Sequence, residues 1–165
     1  MSAEGRKYLL KILGIALLCL SGFGVALLLV RREEQRLSVI SALAELLETV
    51  KRGVENYSMS ASEILNSCGA ELLFRCGYQM GDIPQSFLGL SEGCRIPDRE
   101  AASVFGEFAA DFGKSYRGMQ TEKCAEALGR LRSMEDRARA QLPSRKKVLI
   151  CGSVSLTLII IILLL

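Results

Sequence analysis

Two long apolar runs constrain the fold of this chain more than any other feature. One extends from Ile12 to Val30 and the other from Val148 to Leu165, and neither contains a charged residue. At about 1.5 Å per residue, a helix of either length approaches the ~30 Å hydrocarbon thickness of a bilayer. An open chain satisfies its backbone hydrogen bonds in lipid only as a helix. Both runs are therefore predicted to be transmembrane helices, with a short tail over 1–11 and a water-facing domain over 31–147.

Basic residues beside the two runs predict the orientation. The first run is nearly balanced, with three basic residues before it and three after it, whereas five basic residues precede the second run and no charged residue follows it. Because cytoplasmic flanks of spanning helices are enriched in Lys and Arg, the middle domain is predicted to be cytoplasmic. The length of the first run and the lack of a small-residue cleavage site favour an uncleaved anchor over a signal peptide. The predicted membrane belt, expected to contact lipid, consists of Arg31, Arg32, Arg145, Lys146 and Lys147.

The middle domain shows helical periodicity and no strand alternation. Apolar residues at helical spacing predict a first helix over 33–55. Ser60 and Glu63 have the spacing of a capping box and predict a second helix over 61–75. With the helices that follow, the sequence predicts an all-α bundle of four to six helices.

Turn and cap residues predict the later helices. Pro84 is expected in the first turn of a short third helix, and Pro97 at the start of a fourth. Gly113 is expected just past the end of the fourth helix in a left-handed conformation. Ser115 is expected to cap the last helix, and Pro143 to interrupt it.

Two apolar sets are candidate partner-binding surfaces. Leu43, Leu46 and Val50 widen the apolar stripe of the first helix beyond what one contact face needs. Phe105 belongs to an aromatic face on the fourth helix. Either set can dock a partner or pack inside the bundle, and the residues alone leave both readings open.

Small residues within the two runs permit close helix packing. Gly14, Gly22 and Gly24 lie in the first run, and Cys151 and Ser155 form a small-x-x-x-small pair in the second. Packing of the runs on each other and packing on another subunit, as in a homo-oligomer, are equally consistent with this pattern.

Residue types that usually carry catalysis or bind metals are scarce. The chain contains no histidine, which excludes the commonest general base and metal ligand. Its 6 cysteines form no C-x-x-C pair, and no G-x-x-x-x-G-K-[ST] motif is present. Basic residues are interleaved with acidic ones and the net charge is only +3, which argues against nucleic acid. We therefore expect no cofactor, no metal and no nucleic-acid partner.

Two acid pairs, Asp98 with Glu100 and Glu107 with Asp111, provide an alternative reading as an enzyme. Glu107 and Asp111 lie at i and i+4, so they share a helix face where paired carboxylates could support hydrolysis. Two solvated charges on an amphipathic helix explain the same spacing. The expected class is therefore a non-enzymatic protein, with a membrane-tethered hydrolase or signalling domain as the alternative.

A further set of residues carries a family resemblance. Ile12-Leu13-Gly14 opens the first run, and Leu46-Leu47-Glu48 lies on the first long helix before Tyr57. The most specific segment contains Phe108, Phe112, Gly113 and Ser115, followed by Gln120. Together these features resemble the stage III sporulation protein AB family of endospore-forming bacteria, with Phe112 where that family commonly has Leu.

That resemblance implies a function, a fold and partners. It implies a fold similar to the F-type platform proteins of type II secretion and pilus systems. It also implies a scaffold role in the channel complex between mother cell and forespore, in the mother-cell membrane around the forespore. The implied partners are the ATPase-like subunit, stage III sporulation protein AA, and the other channel proteins.

Overall fold

The computed structural model describes residues 3–57, 59–79 and 81–164. These residues form helices and no strand, which confirms the all-α prediction. A π-helical turn, Gly53–Tyr57, directly continues the first helix. The α-helices are α1 (Ala3–Arg52), α2 (Ala61–Arg75), α3 (Phe87–Gly93), α4 (Arg99–Asp111) and α5 (Arg117–Leu164).

The chain divides into two compact units, which we describe separately. The first, called the helical unit, is Gln35–Ala140 and is somewhat shorter than the predicted 31–147 domain. The second, called the helix pair, consists of the described residues before Gln35 and after Ala140. Because α1 and α5 each contribute to both units, each joins an apolar segment to a domain segment without a break.

The capping box that opens α2 is present as predicted. The Ser60 amide donates to Glu63 Oε2 at 2.7 Å, and the Ser60 hydroxyl accepts from the Glu63 amide at 3.4 Å. Hydrogen bonds from the backbone and side chain of Ser60 lower the pKa of Glu63. Reciprocal bonds of this kind satisfy two amides that the first helical turn leaves without partners.

The predicted starts of the third and fourth helices were too early. Pro84 lies ahead of α3, whose cap is Ser86, because the Ser86 hydroxyl accepts from the Gly89 amide at 3.1 Å. Likewise, α4 begins after Asp98, whose carboxylate accepts from the Ala101 amide at 3.0 Å. A side chain that accepts a hydrogen bond from the first turn determines the helix start, and proline has no such acceptor.

Two predictions about the last helix were also wrong. Helix α5 begins at Arg117, and the Tyr116 carbonyl accepts from the Gln120 amide, so the helix starts one residue later than a Ser115 cap would place it. Helix α5 continues through Pro143 to Leu164. Pro143 is exposed, so water can bind the carbonyl that loses its amide partner there.

Among the described residues, one helix is long and apolar enough to cross a membrane. It is Leu13–Tyr57, which comprises most of α1 and the π-helical turn that follows it. Its most apolar part is almost entirely exposed, unlike the core helix of a soluble domain. The second predicted span, 148–165, is helical to Leu164, and residue 165 lies outside the described residues. That span stays a prediction.

Candidate docking and membrane surfaces

The residues predicted as a partner-binding surface lie inside the helical unit. Leu43, Leu46, Val50 and Phe105 are each 0% exposed. Burying such a side chain contributes roughly 1.5–3 kcal/mol to stability, so these residues act as core residues. Of the two readings that the sequence left open, docking surface or core, the folded domain has these residues in its core.

The wide apolar stripe of α1 has a structural cause. Within the helical unit, α1 is buried on most of its circumference, and its buried residues belong to one hydrophobic core with residues of α2, α3, α4 and α5. A helix with apolar residues on nearly all of its sides is typical of one that is surrounded by other helices. The contacts at its polar positions are Glu45 with Arg75 of α2, Arg36 with Asp98 at the start of α4, and Glu48 with Arg132 of α5.

The aromatic segment that carries the family resemblance forms the end of α4. The Phe112 ring lies 4.5 Å from the Phe87 ring and 5.6 Å from the Phe108 ring, measured between centroids. Phe108 and Phe87 are also 5.6 Å apart, so the three rings form a triangle that joins α3 to α4. Rings in edge-to-face contact stabilise each other beyond their buried area.

Gly113 then turns the chain toward α5. It has a φ of +83°, as predicted, and the Lys114 amide donates to the Asp111 carbonyl at 3.2 Å. With Phe112 at φ −61° and ψ 130°, this geometry is a type II turn, whose third residue needs a positive φ. Ser115 precedes α5 and Gln120 lies in its first turns, and both residues are half-buried. The segment therefore has a packing and turn role.

The acid pair on α4 lacks the electrostatics of a general acid. The Ser103 hydroxyl and the Arg130 guanidinium lower the pKa of Glu107. A hydrogen bond from Lys123 at 2.7 Å lowers the pKa of Asp111. Acid–base hydrolysis needs one carboxyl that keeps its proton near neutral pH. Here both carboxylates are ionised and paired with bases of α5.

The cysteines of the helical unit are poor nucleophiles in this fold. Burial raises the pKa of Cys94 and of Cys124 to about 11 each. Burial also raises the pKa of Cys76, which is fully buried, and that of Cys68. Because the thiolate is the reactive form, these side chains are small packing residues near neutral pH. Among the described residues, no group of three or more potential ligands could hold a metal ion.

An exposed aromatic surface lies at one end of the helical unit. Arg117 donates through Nε to the Val54 carbonyl at 2.9 Å and through Nη2 to the Glu55 carbonyl. This contact brings Tyr116, next to Arg117, to the same end of the unit as Tyr57. The two rings are 73% and 74% exposed. We call Tyr57 and Tyr116 the tyrosine end. No local sequence signal predicts it, because the contact joins residues more than 60 positions apart.

The helix pair has an antiparallel register fixed by three contacts. A Cβ added at Gly22 would collide with the Thr157 hydroxyl, so α1 and α5 approach closely there. Arg145 donates to Glu33 at 3.1 Å, and Lys146 donates to Glu34 at 2.5 Å. In this register the charged ends of both apolar runs lie at one level.

The sequence left open whether the small residues of the two runs pack on each other or on another subunit. The close approach at Gly22 is a contact of the two runs with each other. Gly14 and Gly24 have no other atom near the position of an added Cβ. Cys151 and Ser155 are exposed, whereas Ser153 and Thr157 line the groove beside Gly22. The Thr157 hydroxyl is satisfied within its own helix, since it donates to the Ser153 carbonyl at 2.8 Å. The two segments therefore pack on each other through Gly22.

Replacing Gly22 by isoleucine is expected to destabilise the helix pair by about 1–2 kcal/mol, because the side chain must displace Thr157. The measurement is the thermal midpoint of the full chain in a mild detergent. Gly14→Ile is the matched control, since no atom lies within 4 Å of a Cβ there. Equal midpoints for the two variants would contradict the close approach.

The predicted membrane belt lies at the charged end of the helix pair. Arg31, Arg32 and Lys147 are exposed. Arg145 and Lys146 lie at the same end but are bound by the two glutamates of α1. The belt therefore consists of two paired and three exposed cations.

Comparison with known proteins adds no relative: no family model matches the chain, and neither a curated protein nor a solved structure is similar to it.

Proposed function

We propose that this chain is a non-enzymatic membrane scaffold whose helical unit docks a partner in the cytoplasm. The observation that carries the proposal is the common level at which the two apolar segments end. Register contacts align Arg31 and Arg32 of α1 with Lys147 of α5, and both segments are apolar on one side of that level only. Two helices that cross the same bilayer need such an alignment.

The surface of the C-terminal segment supports a second span. Large apolar side chains point outward along it, and Val148, Leu156 and Ile162 are 70%, 61% and 72% exposed. A continuous apolar surface of this kind is rare on water-soluble proteins and fits a lipid environment.

Continuity of α1 supports an uncleaved N-terminal anchor. The helix runs from Ala3 to Arg52 without interruption, and its last third forms the centre of the helical unit. A signal peptide would instead end in a small-residue cleavage segment.

The biological setting follows from the sequence resemblance. We infer a member of the stage III sporulation protein AB family that acts in the channel complex between mother cell and forespore. Its partner in this proposal is the ATPase-like subunit, stage III sporulation protein AA, on the cytoplasmic side of the mother-cell membrane.

The tyrosine end is the docking surface that we assign to this partner. Tyrosine and arginine are enriched in the cores of protein interfaces, and here Tyr57 and Tyr116 flank the Arg117 contact. Each ring has only two side-chain torsions, so ordering it on binding costs less conformational entropy than ordering a long flexible side chain.

Replacing both tyrosines by alanine is expected to weaken binding of the full chain to the ATPase-like subunit at least tenfold, about 1.4 kcal/mol. Binding is measured by surface plasmon resonance with the full chain in detergent. Phe74→Ala with Leu88→Ala is the matched control, because it removes two exposed apolar side chains elsewhere on the unit.

Two outcomes would contradict the proposal. If the wild-type chain does not bind the folded ATPase-like subunit, the assigned partner is wrong. If the control weakens binding as much as the tyrosine variant, the tyrosine end is not the docking surface.

A further inference from the structure

The cations at the end of the helix pair are not equivalent. Arg145 and Lys146 each donate to a carboxylate of α1, Glu33 at 3.1 Å and Glu34 at 2.5 Å. These contacts neutralise two of the five belt charges and hold the two helices in register.

The remaining three belt residues keep their charge available. Arg31, Arg32 and Lys147 are exposed, and the ion pairs found among the described residues do not include them. The antiparallel register brings Arg32 level with Lys147, so the three cations lie at one level of the helix pair. An excess of positive charge is therefore concentrated where both segments become apolar.

Apolar surface begins directly below these cations. Leu28 and Leu29 of α1 are 66% and 39% exposed, and Val148 of α5 is 70% exposed. A ligand that matches this surface carries an anionic group at one end and a hydrocarbon chain at the other. Phosphate suits the anionic end, because an arginine guanidinium can donate two parallel hydrogen bonds to it.

We propose that Arg31, Arg32 and Lys147 form a binding site for an anionic phospholipid, with its phosphate among the three cations and its acyl chains against Leu28, Leu29 and Val148. The site rests on the proposed membrane crossing of both segments. It does not depend on the partner or on the docking surface. Each juxtamembrane cation is expected to strengthen binding roughly fivefold at low ionic strength.

Native mass spectrometry of the full chain in a neutral detergent tests this site. Phosphatidylglycerol, phosphatidylcholine and inorganic phosphate are titrated separately, and bound copies are counted. We expect phosphatidylglycerol to bind at least tenfold more tightly than phosphatidylcholine. The triple variant Arg31→Gln, Arg32→Gln, Lys147→Gln should lose this preference.

The matched control removes the same charge from the helical unit. Arg75→Gln, Lys123→Gln and Arg132→Gln replace three cations that are paired with carboxylates there. This variant should keep the preference for phosphatidylglycerol. Far-ultraviolet circular dichroism verifies that both triple variants retain their helices.

Three results would overturn the lipid site. They are an unchanged preference in the belt variant, an equal loss in the control variant, and displacement of phosphatidylglycerol by inorganic phosphate. Extraction of cell membranes with alkaline carbonate distinguishes failure of the lipid site from failure of the proposed membrane crossing. A chain that the carbonate wash releases does not cross the membrane, whereas a retained chain without lipid preference contradicts the lipid site alone.

Discussion

Replacing Gly77 by alanine is expected to destabilise the helical unit by about 3–4 kcal/mol, through backbone strain and a steric clash together. Gly77 is the first residue beyond α2 and its cap, and it has a φ of +94°. A Cβ at this position would lie 2.6 Å from the Arg95 carbonyl oxygen. Because that oxygen belongs to the backbone, no side-chain rotation can relieve the contact.

The surrounding hydrogen bonds prevent the backbone from moving away. The Gly77 amide donates to the Phe74 carbonyl at 2.9 Å, and the Tyr78 amide donates to the Leu73 carbonyl at 3.1 Å. These two bonds form a Schellman motif, which requires a left-handed residue at Gly77. In addition, the Arg95 amide donates to the Gly77 carbonyl at 2.9 Å, which ties the end of α2 to the segment after α3.

Two other glycines separate the contributions of strain and contact. Gly113 also has a positive φ, but no atom lies within 4 Å of a Cβ added there. Gly113→Ala should therefore destabilise the helical unit only by backbone strain, about 1–2 kcal/mol. Gly129→Ala lies in the interior of α5 with open space around it and should stabilise the helix by roughly 0.5–1 kcal/mol. Thermal unfolding of the full chain in detergent, followed by circular dichroism, measures all three. Equal midpoints for the Gly77 and Gly113 variants would contradict the tight approach to Arg95.

Local signals in the sequence predicted the features that depend on a few neighbouring residues. The capping box at Ser60 and Glu63 needs only a spacing of three, and it is present with both of its bonds. Gly113 was predicted because a positive φ after a helix strongly favours glycine. The helical character of the middle domain followed from its apolar periodicity in the same way.

Features that depend on distant residues could not be predicted from the sequence. An apolar stripe such as that of Leu43, Leu46 and Val50 has the same pattern whether other helices or a partner cover it. Burial was decided by the other helices of the shared core, which are separated from α1 in the sequence. The tyrosine end depends likewise on Arg117 reaching Val54, a contact across 63 positions. Propensity and period contain no information about such pairs.

Asp98 provides the second large expected effect, because one buried carboxylate makes both a helix cap and an ion pair. It is 4% exposed and accepts from the Ala101 amide at 3.0 Å and from Arg36 Nε at 2.6 Å. Asp98→Ala removes both interactions and should destabilise the helical unit by about 2–4 kcal/mol. Asp98→Asn keeps an acceptor for the cap but removes the charge, so we expect a smaller loss of about 1–2 kcal/mol.

The pH dependence of stability identifies the contribution of the charge. Burial raises the pKa of Asp98, but the Ala101 amide and the Arg36 guanidinium together lower that pKa by more, so it lies below the ordinary value of 3.8. As the pH falls, the unfolded chain therefore binds a proton at this position before the folded chain does. The stabilisation is present in full above the unfolded pKa and is lost as the pH falls through the folded pKa.

The difference in unfolding free energy between wild type and Asp98→Asn should accordingly shrink as the pH falls below about 3.8 toward the folded pKa. Urea titrations of the full chain in detergent, repeated between neutral pH and pH values below 3.8, measure that difference. Asp111→Asn is the control, because Asp111 pairs with Lys123 at 2.7 Å on the exposed surface and should leave the midpoint nearly unchanged. If the wild-type advantage over Asp98→Asn were the same at every pH, the ion pair with Arg36 would not be its source. The amide geometry of the cap would then account for the whole effect.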